Sequence, residues 1–305
     1  MLTIAHLSDV HLGPMPRPRL RDLTPKRLTG LANWHRGRKH RHLPMVLEAL
    51  LEDIRRHEPD HTVVTGDLCN LGMPQEIAVV MDWLARLGPP DRVTVVPGNH
   101  DAYVRLRRDP GLARWAAYMS GETVEGSHRR PGELVAFPFV RRLGPVALVG
   151  LSSAVPTPMF RATGRLGRSQ IEHAAGLLRS LGAEGITRIV LIHHPPLPGQ
   201  AGKSCCLVDA AALAEVLSEA GAELVLHGHN HCAMLAHADG PAGKVPVVGV
   251  PSASHAGRHR HHEPARYNLY RIDVRNERAR IAMVGRAITD DLTCVQTVEE
   301  RELTP

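Results

Sequence analysis

Apolar residues along the chain fall into two kinds of run. Short continuous runs at residues 2–7, 62–65, 93–96, 146–151, 188–192 and 224–226 are expected to form strands. Between them lie stripes at helical spacing. The first is Leu43, Val46, Leu47, Leu50, Leu51 and Ile54, and the second is Ile77, Val80, Met81, Leu84 and Leu87. The third is Ile171, Ala174, Ala175, Leu178 and Leu181, and the fourth is Leu213, Val216, Leu217 and Ala220. Gly88-Pro89-Pro90 stops the second helix, Gly221 stops the fourth, and Asp209 is expected to cap the start of the fourth. Beyond residue 245 only strand character remains, at 245–250, 267–274 and 279–284. Strand–helix alternation followed by strands predicts an α/β protein with mixed sheets covered by helices. One domain is expected over residues 1–305, with an insertion at about 14–42 and a strand-rich part from about 245.

Composition narrows the function. A hydrophobic content of 43% with 22% charged residues excludes a disordered chain. No apolar run reaches the ~20 residues of a membrane helix. Residues 1–9 show neither a basic region nor a long apolar stretch, so no secretory signal is expected there. Five cysteines without regular spacing point away from a disulfide framework, towards a reducing compartment and a cytoplasmic location. The 20 histidines raise metal binding as a hypothesis, and the formal charge of +6 favours anionic partners.

Position sharpens both hints. Five strand ends finish in metal-binding side chains: Asp9 with His11, Asp67, Asn99 with His100, His193, and His229 with His231. In open α/β sheets, ligands bind beyond the carboxyl ends of strands, so these ends can converge in one crevice. Any one of them alone is weak, because polar residues at strand ends usually serve turns and caps. Their types are carboxylate, imidazole and one amide, with no thiolate, which points to a catalytic rather than a structural site. Such a mixed oxygen and nitrogen set suits Mn, Fe or Zn. Seven donors are too many for one tetrahedral ion and fit two ions sharing a carboxylate.

Asp9-x-His11, Gly66-Asp67, Gly98-Asn99-His100-Asp101, His193-His194-Pro195 and Gly228-His229-Asn230-His231 resemble the ordered blocks of the calcineurin-like metallophosphoesterases. His193-His194-Pro195-Pro196 together with Gly228-His229-Asn230-His231 is most similar to the class III cyclic-nucleotide phosphodiesterases and glycerophosphodiesterases of that superfamily. The resemblance implies a four-layer α/β/β/α sandwich of two mixed sheets flanked by helices. It implies one ion held by Asp9, His11, Asp67 and His231 and a second by Asp67, Asn99, His193 and His229, with Asp67 shared. His100 would face the substrate phosphate and protonate the leaving group, with Asp101 orienting it. The implied reaction is hydrolysis of a small anionic phosphodiester by a hydroxide shared between two divalent or trivalent ions.

Neighbouring residues have plainer expectations. His194 and His227 are expected to support the site without ligating, His6 to be a packed strand residue, and Cys69, Cys205 and Cys206 to take no part in the chemistry. Residues 14–42 hold nine Lys or Arg against one acid, Asp22. They form either a rim that recruits anions or a solvated surface. The same alternatives apply to the His-rich 255–262. The alternatives to a small-molecule phosphodiesterase are a nuclease acting on DNA or RNA, a phosphomonoesterase, and a scaffold without metals. Charge supports the nuclease. Aromatic content of only 3% counts against it, because it leaves few platforms for stacking bases. A scaffold should show gaps in the donor set, and this chain shows none.

Overall fold

The computed structural model describes residues 1–105, 111–121, 135–257, 262–276 and 278–304. Among the described residues, twelve strands build two six-stranded mixed sheets. In the first sheet, β1 (Leu2–Leu7), β2 (His61–Val64) and β3 (Val93–Val95) run parallel. β10 (Arg266–Arg275), β11 (Arg278–Ile288) and β12 (Val295–Glu302) extend it antiparallel from β1. In the second sheet, β5 (Val146–Gly150), β6 (Thr187–Leu191), β7 (Leu224–His227) and β9 (Val245–Gly249) are parallel. Antiparallel β4 (Phe139–Leu143) and β8 (Met234–Ala238) close its edges. The strand-rich C-terminal part is therefore shared between both sheets.

Alternation within the strands explains the layering. Val146, Leu148, Ile189, Leu191, Leu224, Leu226 and Val248 point into the core between the sheets, beside Ile4, Val63 and Tyr270. The residues between them, Ala147, Val149, Val190, Val225 and Val247, pack on the other side against α4 (Arg168–Ala183) and α5 (Ala210–Ala220). A strand buried on both faces reads as a continuous apolar run, as these do. The stripes of α2 (Pro44–Arg56) and α3 (Pro74–Leu87) cover the first sheet's outer face. The result is the four-layer α/β/β/α sandwich.

Asp53 ties α2 to that sheet. It accepts from Arg286 Nε and Nη2 at 2.9 and 2.7 Å and from the Tyr267 hydroxyl at 2.6 Å. Burial opposes the charged form, but these donors outweigh it and hold the carboxyl below its ordinary value. The tie is therefore complete above about pH 4 and is lost as the pH falls through the lower folded value. Asp53→Asn is expected to cost about 1–3 kcal/mol at pH 7, read from urea unfolding.

One local expectation changes and two further elements emerge. Asp209 precedes α5 but does not cap it; its carboxylate takes the backbone N–H groups of Leu166 and Gly167, ordering the entry to α4 instead. Residues 14–42 contain a helix, α1 (Pro25–Arg36), whose buried residues are Arg27 and Trp34 rather than an apolar stripe. β12 pairs with β11 across a bulge that skips Val298, although it is mostly exposed and rich in charged residues. Of the His-rich segment, residues 258–261 lie outside the described residues. Among the described residues no helix is long and apolar enough to cross a membrane.

Candidate metal centre

The parallel strands deliver their carboxyl ends to one edge. There Asp9 and His11 follow β1, Asp67 follows β2, Asn99 to Asp101 follow β3, His193 follows β6, and His229 and His231 follow β7. All nine are buried except His100 and His229, which are partly exposed. The loops that carry these side chains meet at their glycines. A Cβ on Gly66 would come within 2.5 Å of the Gly98 backbone nitrogen, and one on Gly228 within 2.5 Å of Asp9 Oδ2. Only glycine permits that approach, which puts Asp67 beside Asn99 and Asp9 beside His229. Asp9, His11, Asp67, His229 and His231 themselves sit at φ 53°, 42°, 55°, 73° and 55°, left-handed conformations that strain any residue with a Cβ.

The donor atoms form two groups joined by one oxygen. On one side, His231 Nε2 lies 3.0 Å from Asp9 Oδ1 and 3.3 Å from His11 Nε2, and His11 Nε2 lies 3.9 Å from Asp67 Oδ2. On the other, His193 Nε2 lies 3.4 Å from the same Asp67 Oδ2 and 3.1 Å from Asn99 Oδ1. His229 Nδ1 completes that side, 3.0 Å from Asn99 Oδ1 and 3.2 Å from His193 Nε2. Each carboxylate uses its second oxygen to fix a loop: Asp67 Oδ1 accepts from the His100 backbone, and Asp9 Oδ2 from that of His229.

The donor chemistry fits metal ions. Backbone carbonyls of Cys69, Thr65 and Cys205 accept from the outward nitrogens of His11, His193 and His229, which turns the opposite nitrogen of each ring inwards. Two nitrogens at about 2.0–2.1 Å from one tetrahedral ion lie ~3.3–3.4 Å apart, close to the spacings seen. The field favours a cation here. Burial works against a charged His193, yet Asp67 and Asp9 lift it to about 9. Burial likewise opposes ionised Asp67, but His193 and His100 hold it well below the carboxylate range. Trios with atoms within 4.8 Å of one another include Asp67–His193–His229, His11–Asp67–His100 and His11–His42–His231.

His100 stands at the mouth of this cluster. Its Nδ1 is held by the Asn70 carbonyl at 2.5 Å, which turns Nε2 towards the crevice, where Arg38 Nη1 lies 3.1 Å away. Burial, and then the Arg38 guanidinium, push the imidazole down to about 4. The orienting contact expected from Asp101 is not made. Its carboxylate instead accepts from the backbone of Asp67, Cys69 and Gly98 at 2.8, 2.9 and 2.9 Å, tying together the loops that carry Asp67 and Asn99. Both nitrogens of His194 are engaged, by Ser153 Oγ and the Ala162 carbonyl, and His6 bonds Thr65 Oγ1. His42 was not singled out by sequence, yet its ring centroid lies 4.7 Å from that of His11. Arg38 was read only as part of a basic stretch, yet it reaches His11 and His100.

Comparisons with known proteins agree with this geometry. A family model described as calcineurin-like phosphoesterase matches residues 2–233. A protein of Synechococcus sp. named "probable cyclic nucleotide phosphodiesterase" is 26% identical over 237 residues, 77% of this chain and 75% of that protein. A dimetal phosphatase from Danio rerio superposes with a TM-score of 0.61 at 16% identity, over 97% of this chain and 98% of that one. A purple acid phosphatase from yellow lupin (Lupinus luteus) seeds gives a TM-score of 0.55 at 12% identity, over 99% of this chain and 53% of its own length. At these identities the structural likenesses establish a shared fold.

Proposed function

The chain belongs to the calcineurin-like phosphoesterases, and from that premise we propose that it hydrolyses small phosphodiesters of the cyclic-nucleotide or glycerophosphodiester class. The carrying observation is the pair of donor groups meeting at Asp67 Oδ2. In this proposal Asp9, His11, Asp67 and His231 hold one ion and Asp67, Asn99, His193 and His229 the other. The ions are Mn, Fe or Zn, as suits a nitrogen and oxygen set without thiolate. Ions held there would supply positive charge to offset phosphoryl oxygens and would lower the pKa of water near them. The name of the Synechococcus relative supports the diester class.

The chain's own groups do the rest. His100 Nε2 faces the crevice and bonds the substrate phosphoryl group. A bound anion raises the proton affinity of this imidazole, so Nε2 can carry a proton and pass it to the departing alkoxide. Asp101 keeps Asp67 and Asn99 in register through three backbone N–H groups. His100→Ala is therefore expected to retain both ions and to lower kcat by ~10²–10⁴-fold, checked by elemental analysis beside steady-state kinetics.

The deciding experiment is a hydrolysis panel with metal-reconstituted protein. Bis-p-nitrophenyl phosphate, cyclic AMP and glycerophosphodiesters should be cleaved in preference to p-nitrophenyl phosphate and single-stranded DNA. Chelation should abolish turnover and readdition of metal restore it. Preferred cleavage of DNA or of the monoester would overturn the substrate class.

A further inference from the structure

Part of the basic segment is fastened to the centre: Lys26, Arg27 and Arg38 turn inward, while Arg17, Arg19, Arg21, Arg36 and Lys39 are exposed. Buried Arg27 donates Nε to the Leu71 carbonyl at 3.1 Å and Nη2 to that of Gly72. Lys26 Nζ donates to the carbonyls of Tyr103 and Thr157, each at 2.9 Å, and lies 4.3 Å from the Tyr103 ring centroid. Gly30 fits so closely against Leu71 and Tyr103 that a Cβ there would collide with both. Tyr103 in turn stacks on His100, with centroids 5.5 Å apart and planes 20° from parallel. These contacts lock α1 onto the loops after β2 and β3.

Two residues past the end of α1, Arg38 projects back into the crevice. Its Nη2 lies 2.9 Å from His11 Nε2 and its Nη1 3.1 Å from His100 Nε2. The two arms of the guanidinium thus span the space between the donor cluster and the imidazole at its mouth. A guanidinium has five N–H donors and no acceptor, and its planar fork matches two oxygens of a phosphate. We propose that Arg38 binds the phosphoryl group of the substrate through this fork, and that α1 is docked where it is to hold Arg38 in place. This rests on the phosphoesterase assignment above and names the anion-binding residue of that site.

The test uses inorganic phosphate as the probe. Metal-loaded wild type, Arg38→Ala and Arg38→Lys are titrated calorimetrically with phosphate, and their metal content is measured in parallel. Arg38→Ala should keep the wild-type metal content and bind phosphate at least ~10-fold more weakly. Arg38→Lys, with charge but no fork, should fall between the two. Phosphate affinity in Arg38→Ala within about twofold of wild type, or loss of metal from it, overturns the proposal. If the alanine variant does not fold, Arg38→Lys decides on the same two measurements. Turnover is not among the readouts, so the hydrolysis panel and this titration can fail separately.

Discussion

Asp67→Ala is expected to leave a folded protein that no longer takes up two equivalents of metal and has lost at least ~10³-fold in kcat/KM. The size follows from the several kcal/mol that metal ions contribute to charge stabilisation, at 1.36 kcal/mol per factor of about ten. Among the described residues no other side chain offers one oxygen to both donor groups: Asp67 Oδ2 faces His193 Nε2 at 3.4 Å and His11 Nε2 at 3.9 Å. Its other oxygen fixes the His100 backbone at 2.7 Å, so the loop bearing Asn99 also loses an anchor. Elemental analysis and kinetics on the purified variant check this. A variant that kept two ions and most of its rate would show that the two groups do not share this carboxylate.

Gly98→Ala is expected to be nearly as damaging although it replaces none of the candidate donors. Its Cβ would lie 2.5 Å from the Asp67 backbone nitrogen and closer still to the Asp67 carboxylate. Backbone cannot swing aside as a flexible side chain can, so the β2 and β3 loops must separate. Overpacking of this kind costs about 1–3 kcal/mol. The separation moves Asp67 away from Asn99, and near-attack geometry is sensitive on the scale of an ångström. A lowered melting temperature together with reduced metal uptake is the expected outcome. Wild-type values for both would mean the loops have slack that the packing does not suggest.

Much of this centre was legible because its side chains obey local rules. Each donor stands directly after an apolar run, and residues after parallel strands share one edge. The two-sided burial of β5, β6, β7 and β9 showed as unbroken apolar runs. What stayed hidden lacks a side-chain signature. The groups that set the histidine tautomers are main-chain carbonyls, of Thr65, Cys69, Asn70 and Cys205, and any residue supplies a carbonyl. α1 was missed because its docked face is Arg27, Gly30 and Trp34, polar contacts and close approach instead of a stripe. β12 was missed because Glu299, Glu300, Arg301 and Glu302 show none of the alternation of a half-buried strand. Asp101 sits in the expected block, but only coordinates reveal that it holds backbone and leaves the imidazole to Asn70.

Of the nine described non-glycine residues with positive φ, five are Asp9, His11, Asp67, His229 and His231. Such conformations cost of order 1–3 kcal/mol each for residues with a Cβ, and almost nothing for glycine. Durability and chemistry therefore pull in opposite directions at these positions. A laboratory evolution campaign that rewarded heat resistance alone would find glycine attractive at the very places where it silences the protein. Screens for hardier variants of this chain need a turnover filter from the first round.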